Sequence, residues 1–380
     1  MNRIYLDHAA TSPVHPQVID KLVETLGQAY GNPSSIHATG REARKLLDHA
    51  REQLSLSIGA KEQDIILTSG GTEADNLAIF GTAYARNKEG KHIITTQIEH
   101  HAVMHACEKL EKEGFEVTYL PVNQKGRISI EDFKHELRDD TILVTIMLGN
   151  NEVGTIQPIE EIGEILKNHP ASFHTDAVQA YGLLPILVDD LNVDLLSVSS
   201  HKINGPKGIG FLYQRKGTKL YPQLFGGQQE RKRRAGTENV PSVLAFAEAV
   251  SITQQAMKEK QKLYNQFKET MISIFSQENL AFYINGDNED TLPHILNVSF
   301  QGTDVESLLV NLDMSGLSVS SGSACTAGSI DPSHVLVAMF GENANELRNS
   351  IRFSFGYGVT LEDVREAATR TAHVVKRLVK

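Results

Sequence analysis

Between residues 60 and 215, short apolar runs alternate with longer amphipathic ones. The runs Ile65–Leu67, His92–Thr95, Val117–Leu120, Ile142–Ile146, Leu195–Val198 and Ile209–Tyr213 read as strands, and helical patterns separate many of them. Near-continuous apolar strands must be buried on both faces. That requires an α/β architecture, a mostly parallel sheet covered by helices on each side. In such a sheet, ligands collect beyond the carboxyl ends of the strands. Lys202, Asp176 and the turn Gly70-Gly71-Thr72 each follow an apolar run, so a single pocket can gather them.

At 380 residues the chain can bury a large core and divides into two domains. The charged stretch Gln254–Lys268 reads as a helix leaving the large domain. Beyond it, Ile295–Phe300 and Ile351–Phe355 alternate like half-buried strands, and a last helix starts at Thr360. The expected division is residues 15–257 for the large domain, with 1–14 and 258–380 forming a smaller α+β domain. The net charge of −10 argues against a protein that coats nucleic acid, whose affinity comes from neutralising phosphates. No apolar run approaches the roughly 18 residues of a membrane span, and Met1–Asp7 lacks an apolar signal core. A cytoplasmic chain is expected, with Cys107 and Cys325 as thiols and no disulfide framework.

Lys202 follows the apolar run Asp194–Val198 and enters a Gly/Pro turn, Asn204–Gly208. A lysine in such a turn is usually solvated. Held away from water, it reaches the neutral form that attacks an aldehyde. Asp176 ends another apolar stretch, and a Lys with an Asp partner for a pyridinium nitrogen is the protein half of a pyridoxal phosphate (PLP) site. The Gly-Gly turn followed by a helix, with Thr72 as its expected cap, suits an anion. Glu73 and Asp75 would then have to point away from it. Small residues surround Cys325 from Leu317 to Ser333, which reads as an exposed loop carrying a nucleophile. Cys107 lies in a helical pattern and reads as packing. His101 and His105 are four apart on a possible helix, but no third ligand of a metal site stands at a recognisable spacing. In Ile351–Phe355 a period of two separates Arg352 from the aromatics, either for a carboxylate ligand or for a surface ion pair.

Taken together, His201–Gly208, Ser321–Cys325, Asn150–Gly154 and Arg234–Asn239 resemble the cysteine desulfurases of the NifS/IscS type. Tyr5–Thr11 and Gly31–Ser35 fit the same pattern, and the likeness runs essentially end to end. The resemblance implies the aspartate aminotransferase-like fold, PLP as cofactor, a homodimer, and conversion of L-cysteine to L-alanine and a persulfide sulfur. It casts Lys202 as the Schiff-base lysine, and His100 as the residue that stacks on the pyridine ring and handles protons. Asp176 becomes the pyridinium partner and Gln179 the neighbour of the ring oxygen. Gly71, Thr72, Ser199 and His201 become phosphate contacts, with Thr237 supplied by the other subunit. Asn151 and Arg352 would hold the substrate carboxylate, helped by Asn32, with Asn151 also on the cofactor. Cys325 would carry the persulfide to a sulfur acceptor, an iron–sulfur scaffold or a tRNA-thiolating enzyme. One departure stands out: family members often have three glycines before Gln-Glu-Arg, whereas here Gln228 follows Gly226-Gly227. The basic run Arg231–Arg234 then suits a dimer or acceptor face better than nucleic acid. The alternatives are a selenocysteine lyase or another PLP enzyme of this fold, and the thiol loop discriminates against a transaminase.

Overall fold

The computed structural model describes residues 3–321, 325–326, 329–330 and 332–379, with residues 325–326 and 329–330 described by backbone alone. In chain order the strands are β1 (Ile4–Tyr5), β2 (Ile65–Thr68), β3 (His92–Thr96), β4 (Glu116–Leu120), β5 (Thr141–Thr145), β6 (Ser172–Asp176) and β7 (Leu195–Ser199). They continue with β8 (Gly210–Gln214), β9 (Phe282–Asn285), β10 (Ile295–Phe300), β11 (Leu317–Ser318), β12 (Cys325–Thr326), β13 (Ser329–Ile330) and β14 (Ser350–Ser354).

Seven strands form the central sheet in the order β2-β8-β7-β6-β5-β3-β4. β8 is antiparallel to both of its neighbours, and the other pairs are parallel. The reversal has a local cause. Residues 200–209 return the chain beside β7 without a crossover helix, which only an antiparallel partner permits. Lys202 sits in that return, beyond the carboxyl end of β7. A second sheet, β14-β10-β9, is antiparallel, and β1 pairs in parallel with β11.

Helix Gly71–Arg86 starts differently from the sequence expectation. Gly70 is its N-cap, with φ of 148° and no side-chain cap, so Thr72 lies inside the first turn and does not cap it. The glycine takes a backbone conformation that a side chain would oppose, and this turns the chain directly from β2 into the helix. The stretch Gln254–Lys268 is the middle of a much longer helix, Val240–Gln277, capped by Asn239 accepting from the Ser242 amide. Its first turns bury Val243, Leu244 and Phe246 in the cluster under the central sheet. Its last turns bury Tyr264, Phe267, Met271 and Phe275, spaced to share one face, against Phe300 and Phe353 of the second sheet. The charged middle alone was conspicuous because both ends are apolar in runs that also suit strands. Ile4 and Leu6 join the same second cluster. Among the described residues no helix is long and apolar enough to cross a membrane.

Candidate active site

A cavity of about 280 Å³ opens beyond the carboxyl ends of β6 and β7. It is lined by ten of the residues singled out from the sequence, from Gly71 and Thr72 at one end to Arg352 at the other. At the first end, a Cβ on Gly71 would stand 2.9 Å from Val178 Cγ2, too close for any other residue, so backbone and pocket wall meet directly there. The first-turn amides of helix Gly71–Arg86 carry partial positive charge at this point. Ser199 stands beside Gly71, and His201 also lines the cavity. His201 Nδ1 lies 3.1 Å from Thr11 Oγ1, and burial with the Lys202 charge lowers its pKa to about 4.

Asp176, the last residue of β6, is buried and accepts from the Val178 amide at 2.8 Å. Burial raises its carboxyl to about 6, against the pull of Lys202. Gln179 donates to the Ala9 carbonyl at 2.9 Å and meets His294 Nε2 at 3.1 Å. Lys202 donates to the carbonyls of Ala9 and, at 2.7 Å, Ala10. Burial and the Arg352 charge lower its amine to about 8, within reach of neutrality near physiological pH. His100 caps helix His101–Lys112, its Nδ1 accepting the Ala102 amide at 3.2 Å, which leaves the proton on Nε2. Burial and Lys202 hold its pKa near 4, so the ring is neutral.

At the far end Arg352 of β14 is buried. It donates to the Asn151 carbonyl and to Asp7 Oδ1, both at 2.8 Å. Its Nε has no hydrogen-bond partner among the described residues. Asn151 stands in a turn set by Asn150, whose Oδ1 accepts the amides of Glu152 and Val153. The alternation expected for Ile351–Phe355 holds: Phe353 and Phe355 enter the second core, and Arg352 faces the cavity.

Asn32 is not at the cavity; its Oδ1 accepts the Ser34 amide. Thr237 is exposed and away from the cavity of its own chain. The side chain of Cys325 lies outside the described residues, as do residues 322–324 of its motif. Cys107 is fully buried, and burial pushes its thiol far above the usual range, which fits packing. His101 stacks on His105 and meets His334 at a tilt of 45°, but no three such groups among the described residues are arranged to hold a metal ion.

Sequence reasoning missed several members. The carbonyls of Ala9 and Ala10 hold the lysine, and Asp7 holds the arginine. Tyr5–Thr11 was conspicuous as a motif, but nothing local shows where an N-terminal segment returns. Asp75 lies buried in the cavity wall, which its first-turn position did not reveal, and Glu73 is paired with Arg234 at 2.7 Å. In the segment that departs from the glycine pattern, Glu230, Arg231 and Lys232 all have positive φ. Glu230 pins the segment by a buried bidentate pair with Arg51, at 2.7 Å on each arm, and by accepting the Leu67 amide.

The class-V aminotransferase family model matches residues 4–366. The IscS 1 protein of Bacillus subtilis strain 168, whose desulfurase designation is provisional, is 62% identical over the whole of both chains. The cysteine desulfurase IscS of Dictyoglomus turgidum is 45% identical, covering 99% of this chain and 95% of its own. A solved NifS-like protein superposes with a TM-score of 0.92 at 35% identity, over 99% of this chain and all of that one. This chain belongs to the NifS/IscS-type cysteine desulfurases. Cysteine desulfurases of this family depend on PLP. The cavity of this desulfurase fits that cofactor on two observations. At Gly71 the start of the helix meets the pocket wall with no side chain between them, and the Asp176 carboxylate is buried in the same cavity as Lys202.

Proposed function

We propose that this chain is a PLP-dependent desulfurase that converts L-cysteine to L-alanine and keeps the sulfur on Cys325 as a persulfide. The observation that carries the reading is the Lys202 amine. It is held by two carbonyls and partly neutral, in one cavity with Asp176, His100 and Arg352. Gly71, Thr72, Ser199 and His201 would hold the cofactor phosphate, and Asp176 the ring nitrogen, with Gln179 near the ring oxygen. Bound PLP supplies an electron sink for bonds broken at the substrate Cα and beyond. Arg352 takes the substrate carboxylate bidentately, with Asn151 beside it and Asn32 as a helper from outside the described cavity wall. Lys202, once free as an amine, moves the Cα proton. Neutral His100 donates from Nε2 and receives the proton back. The Cys325 thiolate takes the sulfur: the substrate C–S bond breaks, an S–S bond forms, and the carbon left behind is protonated to give alanine. The division that suits this chemistry is residues 15–257 for the cofactor domain, with 1–14 and 258–380 bringing Arg352 and Cys325 to it.

Purified holoenzyme given L-cysteine and a thiol reductant should release alanine and sulfide in equal amounts. Selenocysteine consumed with cysteine untouched would replace the reading with a selenocysteine lyase. Sulfur would pass from Cys325 to an iron–sulfur scaffold or a tRNA-thiolating enzyme.

The working unit in this reading is a homodimer, because Thr237, exposed on its own chain, is where a phosphate contact from the neighbouring subunit would come from. Thr237→Ala should weaken PLP binding by about 1–3 kcal/mol. Mixing Lys202→Ala chains with Thr237→Asp chains should restore up to half of the activity per dimer, since one site then carries neither defect. No rescue despite proven subunit exchange would refute shared sites.

A further inference from the structure

Asp75 has no place in the scheme above, yet it lines the same cavity as Asp176 and is 1% exposed. Its Oδ1 has no hydrogen-bond partner among the described residues. A carboxylate oxygen buried without a partner is costly, so the group needs a proton or a ligand.

Its surroundings form an ordered chain along one face of the sheet. His174 and Asp176 are two apart on β6 and share that face. Ser197 of β7 is the register partner of Asp176, and Thr145 of β5 is the register partner of His174. His174 meets Thr145 Oγ1 at 2.8 Å through Nδ1 and Ser197 Oγ at 2.9 Å through Nε2. The same Nε2 is 3.7 Å from Asp75 Oδ1. His174 is wholly buried and neutral, since burial lowers its pKa to about 3, and so it offers Asp75 no positive charge. Burial, and then the charge of Asp176, raise the Asp75 carboxyl well above its usual range, with Ser197 hydrogen bonding against the shift and Glu99 adding to it. Two carboxyls therefore line one cavity, and among the described residues no cation acts on Asp75.

We propose that Asp75 is a positioning residue for the ring end of the site: it shares one proton with Asp176 and, through Ser197 and His174, fixes the charge and direction of that carboxylate. This rests on the reading of Asp176 as the partner of the ring nitrogen. Asp75 as a neutral carboxyl donates to Asp176, which then presents a single, directed negative charge. Asp176 already spends one oxygen on the Val178 amide.

The test is a cycle of PLP dissociation constants, measured by equilibrium dialysis against apoenzyme, with the pH titration of the bound cofactor's visible band as a second readout. Asp75→Asn keeps the shape and a donor, so it should bind PLP within about twofold of wild type, whereas Asp75→Leu should bind about tenfold more weakly. Asp176→Asn alone should weaken binding, but less than expected for a lost charge. With its neighbour neutral, Asp75 can ionise and replace part of that charge. In the Asp75→Asn background the same Asp176→Asn change should therefore cost about tenfold more, and the band's pH midpoint seen in Asp176→Asn should disappear. An additive cycle, or Asp75→Leu binding like wild type, overturns the proposal. Asp176→Asn binding PLP with unchanged affinity and spectrum overturns the Asp176 reading instead. Asp75→Asn is nearly isosteric, so the cycle stands even if Asp75→Leu fails to fold.

Discussion

Lys202→Ala should lower L-cysteine turnover by about a thousandfold or more while the protein still folds. Among the described residues it is the one lysine that lines the cavity. Borohydride reduction of wild-type holoenzyme should place the cofactor's mass on the peptide carrying Lys202, and a different lysine peptide would sink the assignment. The amine also leaves a mark on stability. Its folded pKa is lowered to about 8 from 10.5, so between these values the unfolded chain binds more protons than the folded one. Apoenzyme stability then rises with pH across that window, and the penalty for a buried ammonium is full below it. Lys202→Ala has no such penalty. Its urea midpoint relative to wild type should therefore be highest near pH 7 and fall as the pH approaches 10. A constant difference would mean that the amine is not desolvated.

Cys325→Ser should take sulfide release to background, because an alkoxide oxygen cannot carry the sulfur as a persulfide. PLP binding and its visible band should stay as in wild type, since the residues read as holding the cofactor are unchanged. The variant should still respond to L-cysteine by a spectral change, which separates loss of sulfur acceptance from loss of substrate binding. Cys107 is the internal control. Its thiol is fully buried and pushed far above the usual range, so Cys107→Ser should leave turnover within about twofold. Persulfide mapped to Cys107, or wild-type turnover in Cys325→Ser, would overturn the assignment.

The central sheet was legible because its strands are short, apolar and separated by helical patterns, and each of the six strands read from the sequence corresponds to one of β2 to β5, β7 and β8. Strand β6 was visible only as an apolar stretch ending in Asp176, because Ser172, His174 and Thr175 interrupt its hydrophobicity, while inside the sheet His174 pairs with Thr145 and Ser197 of the adjacent strands and Thr175 donates to the Ile146 carbonyl. The direction of β8 was not legible. It depends on how the 200–209 return folds, which no periodicity encodes. The site was legible wherever one short segment carries both the chemistry and the turn that exposes it, as at Gly70–Thr72 and around Lys202. It was illegible where the partner is distant or is backbone. The carbonyls of Ala9 and Ala10 have no side-chain signature, and Asp75 looked like a helix-dipole residue because burial cannot be read from a first-turn position.

Residues 4–10 impose an order on assembly. Ile4 and Tyr5 pair with Leu317 and Ser318, and Asp7 binds Arg352 across 345 residues of chain. Ala9 and Ala10 meanwhile grip Lys202. On the ribosome, this stretch leaves the exit tunnel 345 residues ahead of its partner Arg352. The core under the central sheet can condense while this segment is still loose. A nascent chain halted before β14 has neither Arg352 nor the strand that seats Asp7 and Ala9. The segment that holds Lys202 is therefore seated only once β14 has been made.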